Sequence, residues 1–183
     1  GDLADAFLRL YPSSQMEASI QAASRDALYG WTAQRLVRSQ AGAGQAAYFY
    51  VFDHGYPALD TVGLHAFHGL ELPYVFGTLA RTPPFWAPAP RVPAETALSE
   101  AMTAYWASFV KNGAPGAEGQ PAWPTFAPAG AFMAFQGAPR VGANLFPGAF
   151  DLQGEVVRRR RAEGSTPWNW NVGLAAPKLA GTR

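Results

Sequence analysis

Three histidines, His54, His65 and His68, are the whole imidazole content of the chain, and they fall within one short stretch directly after its longest apolar run. Imidazole titrates near neutral pH, so such a stretch offers a general acid or base, an activator for a nucleophile, or metal ligands. Metal ligation is the weakest of these. His65 and His68 supply two ligands, and no carboxylate at a suitable spacing completes a set. Nucleophile activation requires a hydroxyl or thiol within reach. The chain has no cysteine, which removes thiolate catalysis, thiolate metal sites and disulfides, although it leaves the compartment open. Its serines are Ser13, Ser14, Ser19, Ser24, Ser39, Ser99, Ser108 and Ser165, and none stands in a Gly-x-Ser-x-Gly elbow. A candidate base is present and its nucleophile is not.

Around His68 the neighbours carry a mechanical suggestion. Gly69 permits close backbone approach, and Glu71 can reach back to an exposed amide of the turn, much as in a capping box. A turn stiffened in this way suits a general base, which must meet a hydroxyl within about 2.6–3.2 Å. The structural alternative, an imidazole that only satisfies local hydrogen bonds, stays open on placement alone.

The elements that must position these residues follow from periodicity. Leu3 to Tyr11 reads as a short helix ended by Pro12. Met16 to Arg38 reads as two helices divided at Gly30. The run Ala46 to Phe52 reads as a strand buried on both faces, as in a parallel sheet covered by helices. In such sheets the working residues lie in loops beyond the carboxyl ends of strands, which is where the histidines fall. Gly69 to Leu79 fits one or two helical turns, and Arg81 to Pro93 is a proline-rich extended loop. Pro93 to Lys111 reads as a helix with Leu98, Met102, Tyr105, Trp106, Phe109 and Val110 on its apolar face, stopped by Asn112-Gly113. Phe132 to Gln136 and Arg140 to Ala143 read as an edge hairpin, and about Asp151 to Arg161 as a last helix.

Composition narrows the classes. With 183 residues, 49% hydrophobic and 15% charged side chains, the chain has enough apolar content for a domain-sized core. A formal charge of +1 offers no broad basic footprint for nucleic acid. No apolar run reaches the roughly 20 residues that a membrane-spanning helix needs, and residues 1–10 have no signal-peptide pattern. Glycine (19) and proline (16) exceed ordinary usage, and aromatics reach 14%, which is the signature of aromatic-pinned loops. The chain begins Gly-Asp-Leu rather than with methionine, and we expect further polypeptide before it. Arg158 to Arg161 read as a solvated or ion-paired cationic face closing a helix, where they oppose its dipole.

The stretch Ala47 to Leu79, AYFYVFDHGYPALDTVGLHAFHGLELPYVFGTL, closely resembles the segment around the catalytic histidine of type-B carboxylesterases, the carboxylesterase and cholinesterase family of α/β-hydrolases. Its most specific parts are His68-Gly69-Leu70-Glu71 and Tyr74-Val75-Phe76-Gly77. Arg25-Asp26-Ala27-Leu28-Tyr29-Gly30-Trp31 resembles the Asp-containing helix upstream in that family. Met102, Tyr105, Trp106, Phe109, Asn112, Gly113, Pro115 and Trp123-Pro124 resemble its late tryptophan helix and following loop.

The resemblance implies an α/β fold, the C-terminal part of an α/β-hydrolase with a central, mostly parallel sheet covered by helices, incomplete without its N-terminal part. It implies carboxylic ester hydrolysis through a serine acyl-enzyme, with His68 as the triad histidine, Glu71 as a loop-setting residue, and His54 and His65 outside the catalytic set. No cofactor or metal is implied. The nucleophilic serine, the triad acid and the oxyanion hole would lie in the N-terminal part of the same esterase, the partner this segment requires. Residues 1–161 are then the C-terminal segment of one α/β-hydrolase domain, and residues 162–183, with Trp168 and Trp170, a tail packed on its surface. A signal peptide in the preceding part would make the protein secreted or periplasmic. The alternative is a catalytically inactive cholinesterase-like binding or adhesion domain.

Overall fold

The structure, a computed structural model, describes residues 2–163. The expected tail with Trp168 and Trp170 lies outside the described residues. The chain divides into two compact units, one formed by the residues up to Leu36 with those from Phe146 onward, the other by Val37–Leu145.

In the first unit, α1 (Leu3–Leu10) ends where Tyr11 donates its N–H to the Phe7 carbonyl and Pro12 forbids continuation. A 3-10 turn, Ser13–Gln15, leads into α2 (Met16–Arg25). Two α-helices are present as expected, but the chain stays helical through Gly30 rather than breaking there. Asp26–Gly30 form a π-helical turn that runs straight into α3 (Trp31–Gly42). The reason is tertiary. A Cβ on Gly30 would sit 2.5 Å from the Phe150 ring of α7 (Ala149–Ala162), so this glycine serves close packing rather than chain termination. Inside the wide turn Asp26 is buried and accepts bonds from the Tyr11 hydroxyl (2.9 Å) and from Arg25 Nε (2.7 Å). Burial, reinforced by the bond to Asp26, pushes the Tyr11 phenol up to about 12. The cationic end of α7 is ion-paired as expected, Arg158 and Arg159 with Glu155, and Arg159 also with Asp2.

In the second unit, β1 (Tyr50–Phe52) pairs in parallel with β2 (Ala131–Phe135), Tyr50 opposite Met133. β2 turns at Gly137, in the left-handed region, and pairs antiparallel with β3 (Pro139–Ala143). The expected hairpin is present, and the sheet is therefore small and mixed. Alternation along the strands feeds two clusters. Tyr48, Phe52, Met133 and Phe135 join Tyr74, Leu98, Met102, Tyr105 and Trp123. Ala47, Phe49 and Phe132 join Val37 and Phe126 in the other. The run 46–52 is less enclosed than expected, because only its last three residues form the ladder and Tyr50 is 37% exposed. Among the described residues no strand pairs with the outer edge of β1.

The remaining helices of this unit are α4 (Pro57–Asp60), α5 (Leu72–Val75), a 3-10 turn at Leu79–Arg81 and α6 (Pro93–Asn112). Pro93 opens α6 at its first position and Gly113 closes it at φ +73°. Leu98, Met102 and Tyr105 are buried as expected, whereas Phe109 and Val110, read onto the same face, are 47% and 81% exposed. No helix among the described residues is long and apolar enough to cross a membrane.

Candidate functional site

The parallel strand β1 delivers the chain to a short helical excursion and returns it to the turn that carries His68. Beyond Phe52, Asp53 still donates to the Phe135 carbonyl (3.0 Å), so the strand register persists by one residue. Tyr56 and Leu59 of the following segment are buried, with Leu70, under Phe67 and Trp86. Phe67 meets the Trp86 ring edge-on at 4.8 Å. Leu70 N–H bonds the Phe67 carbonyl and Leu72 N–H bonds the Gly69 carbonyl, closing the turn that leads into α5. His68 is therefore an exposed side chain on a turn pinned by a buried Leu70 on one side and a fully buried Tyr74 on the other.

Two expectations about this turn change in detail. Gly69 takes φ +89°, and a Cβ there would find only ordinary contacts at 3.9–4.0 Å, so the backbone conformation and not close approach demands glycine. Glu71 stands at the N-cap of α5 but makes no side-chain cap bond. Its backbone carbonyl accepts from Tyr74 and Val75 instead, because Glu71 already has helical dihedrals, from which the carboxylate does not fold back on the turn. Its charge adds to burial in raising the Tyr50 phenol.

The other two histidines are held by carboxylates. His65, at φ +41°, places Nδ1 2.7 Å from Asp60 Oδ1 and Nε2 3.3 Å from Asp53 Oδ1. Asp53 Oδ2 in turn accepts from Gln136 Nε2 at 2.7 Å. The bond to Asp60, with the charge of Asp53, raises the His65 pKa although the group is half exposed. His54 is more enclosed, and its Nε2 lies 2.9 Å from Glu95 Oε2. The same oxygen accepts the Tyr74 hydroxyl at 2.6 Å. Burial, then the bond to Glu95, drives the Tyr74 phenol far upward, so the hydroxyl is a committed donor.

Glu95 escapes a reading of motifs, and the bond it accepts from Tyr74, which does stand in a motif, is not legible there. Glu95 is the third residue of α6, where a carboxylate reads as a partner of the helix dipole. Its partner His54 lies 41 residues away. Among the described residues, the hydroxyls of Ser19, Ser99 and Ser108 donate to the backbone carbonyls of Pro12, Tyr74 and Ala114. Among the described residues no group of three or more His, Asp or Glu side chains is arranged to hold a metal ion.

Residues 10–151 match the model of the carboxylesterase family. The chain is 31% identical over 138 residues to the human cocaine esterase, covering 71% of this chain and 23% of that protein. It is 41% identical over 81 residues to the rat pyrethroid hydrolase Ces2e, covering 42% of this chain and 13% of that one. Among solved structures, the Geobacillus stearothermophilus carboxylesterase EST55 aligns with a TM-score of 0.54 at 31% identity, over 65% of this chain and 24% of that one. A Clostridium hathewayi esterase shares the fold with a TM-score of 0.58 at 23% identity, over 84% of this chain and 29% of its own. The chain thus spans less than a quarter of the two curated relatives, and what it shares with the solved esterases is part of an α/β-hydrolase-like architecture.

Proposed function

The chain belongs to the carboxylesterase family, and from that membership we propose that it is the C-terminal part of an α/β-hydrolase that cleaves carboxylic esters through a serine acyl-enzyme, with His68 as its general acid and base. The observation that carries this reading is the placement of His68. It stands exposed on a turn clamped by buried Leu70 and Tyr74, downstream of a parallel strand and inside the region that matches the family model. A general base needs a backbone that does not drift, and the clamped turn supports that requirement.

In the proposed reaction His68 takes the proton of the serine hydroxyl as its oxygen attacks the ester carbonyl. It then hands that proton to the departing alcohol, leaving the acyl-serine, and in deacylation takes a proton from the attacking water and returns it to the serine. The nucleophile, the triad acid and the oxyanion donors would come from the N-terminal part of the same esterase. Two observations favour such a partner: the short share of each relative that the chain spans, and the outer edge of β1, which among the described residues bears no strand. None of these steps calls for a metal or an organic cofactor.

The test is made on the full polypeptide with a p-nitrophenyl ester and a fluorophosphonate probe. His68→Ala should lower kcat by about 10⁴-fold or more, the scale of loss when a triad base is removed, and should abolish rapid labelling of a serine. Retention of either in that variant refutes the assignment.

A further inference from the structure

The turn that carries His68 has no side-chain cap at Glu71, yet the helix it enters is held by four hydrogen bonds to one neighbouring helix. α5 is only one turn long, and a helix that short has no stability of its own. Its position must come from outside. Tyr74 provides three attachments: its hydroxyl donates to Glu95 Oε2 at 2.6 Å, and its carbonyl accepts from Ser99 Oγ at 3.0 Å and Thr103 Oγ1 at 3.1 Å. Thr103 Oγ1 also reaches the Val75 carbonyl at 3.1 Å. Each of these partners lies on α6, so one helix holds the carbonyl end and the side chain of α5 together.

Glu95 extends the connection to the sheet. The oxygen that accepts Tyr74 also faces His54 Nε2 at 2.9 Å, and His54 stands two residues beyond the end of β1. The His54 ring packs edge-on against Phe52 (6.1 Å) and Tyr74 (5.6 Å). One buried carboxylate oxygen thereby joins the strand exit, the helix after the His68 turn and the first turn of α6. Such a bond set is stiff, since a buried carboxylate that loses a donor is left with its desolvation cost.

We propose that Glu95, with Tyr74 and His54, forms a positioning unit that fixes the His68 turn relative to the strand exit, so that these three residues act on catalysis through His68 without touching substrate. This rests on the assignment of His68 as general base. A displacement of about 1 Å at such a base is worth up to about 100-fold in rate, while substrate affinity, which depends on other surfaces, stays.

The experiment uses the complete esterase, assayed well below the melting midpoint of every variant, with kcat and KM for a p-nitrophenyl ester. His68→Ala is the reference. Tyr74→Phe keeps the ring in the core and removes only the donor. His54→Leu removes the second donor, and His54→Gln restores an N–H of similar reach. The expected result is a loss of activity in His68→Ala, about a 10-fold fall in kcat with KM within about twofold for Tyr74→Phe and His54→Leu, and recovery to within about threefold in His54→Gln. An inactive His68→Ala beside Tyr74→Phe and His54→Leu variants with unchanged kcat would overturn the positioning role and leave ester hydrolysis standing. An active His68→Ala would overturn the ester-hydrolysis assignment and the positioning role with it.

Discussion

Substitution of Gly55 by alanine should unlock the segment that feeds the His68 turn. The geometry sets the size of the effect. A Cβ at position 55 would lie 2.8 Å from Asp60 Oδ1, 2.8 Å from His65 Nδ1 and 2.9 Å from the His65 Cα. Ordinary contacts begin near 3.4 Å, so something must move by about half an ångström. The two polar atoms can swing away, but the Cα cannot without dragging its backbone, which already sits at φ +41°. Overpacking of this kind costs about 1–3 kcal/mol, and the half-exposed Asp60–His65 pair released with it contributes about 0.2–1 kcal/mol more. A strain of that size in a surface loop is relieved by opening the loop rather than by unfolding the domain.

The expected outcome is therefore local. In Gly55→Ala the His65 pKa should fall from its raised value back toward the 6.5 of a free imidazole, because the Asp60 bond is its largest cause. kcat for an aryl ester should fall about 10-fold as residues 65–68 lose their fixed path. Both can be read from one sample, by proton NMR titration of the three histidines and by steady-state assay. His65→Asn is the control, since asparagine tolerates a positive φ and removes the imidazole while keeping the backbone path. It should retain more activity than Gly55→Ala. A Gly55→Ala variant with an unmoved His65 titration and wild-type kcat would refute the argument from contact distances.

His65 has a folded pKa above its unfolded value, so its contribution is complete below about 6.5, in the range where the carboxylates stay charged, and is lost as pH rises through the folded value. Discounted for exposure, the melting midpoint should carry a shallow decline worth no more than about 1 kcal/mol across that window. The decline should be weakened by salt and absent in His65→Asn; a decline unchanged in that variant assigns it to another group. Expressed alone, residues 1–183 should be insoluble or loosely packed and inactive toward p-nitrophenyl esters. β1 keeps an unpaired edge among the described residues, and Phe76, Phe85 and Val110 are 70%, 83% and 81% exposed. A soluble monomer with a sharp cooperative melt would defeat that expectation.

What could be read from the chain and what could not separate along a physical line. α1, α6 and the β2–β3 hairpin are written in local chemistry, with Pro12, Pro93, Gly113 and Gly137 as their punctuation, and these fall where expected. Gly30 carries the same local mark and means something else, because its missing side chain makes room for the Phe150 ring rather than for a break. The apolar character of Phe109 and Val110 fits the helical period, yet burial along α6 ends at Tyr105, with Trp106 only partly buried against Trp123 and Phe135.

The same division runs through the site. The turn that carries His68 is legible because its residues form a local motif, with Gly69 fixed by a positive φ and Leu70 and Tyr74 by burial. His54 and Glu95 are 41 residues apart, and no spacing rule connects them. Each residue alone has an adequate bland reading, an incidental imidazole after a strand and a dipole-matched acid in a first helical turn. Only the fold turns the two into one bonded pair, by bringing the exit of β1 against the start of α6 with Tyr74 between them. A catalytic group that must meet a small reactant can be marked by a short motif, since the chemistry constrains its immediate neighbours. The groups that hold such a motif still are free to come from anywhere in the chain, so they are found by geometry, and the buried carboxylate of Glu95 is where that geometry converges.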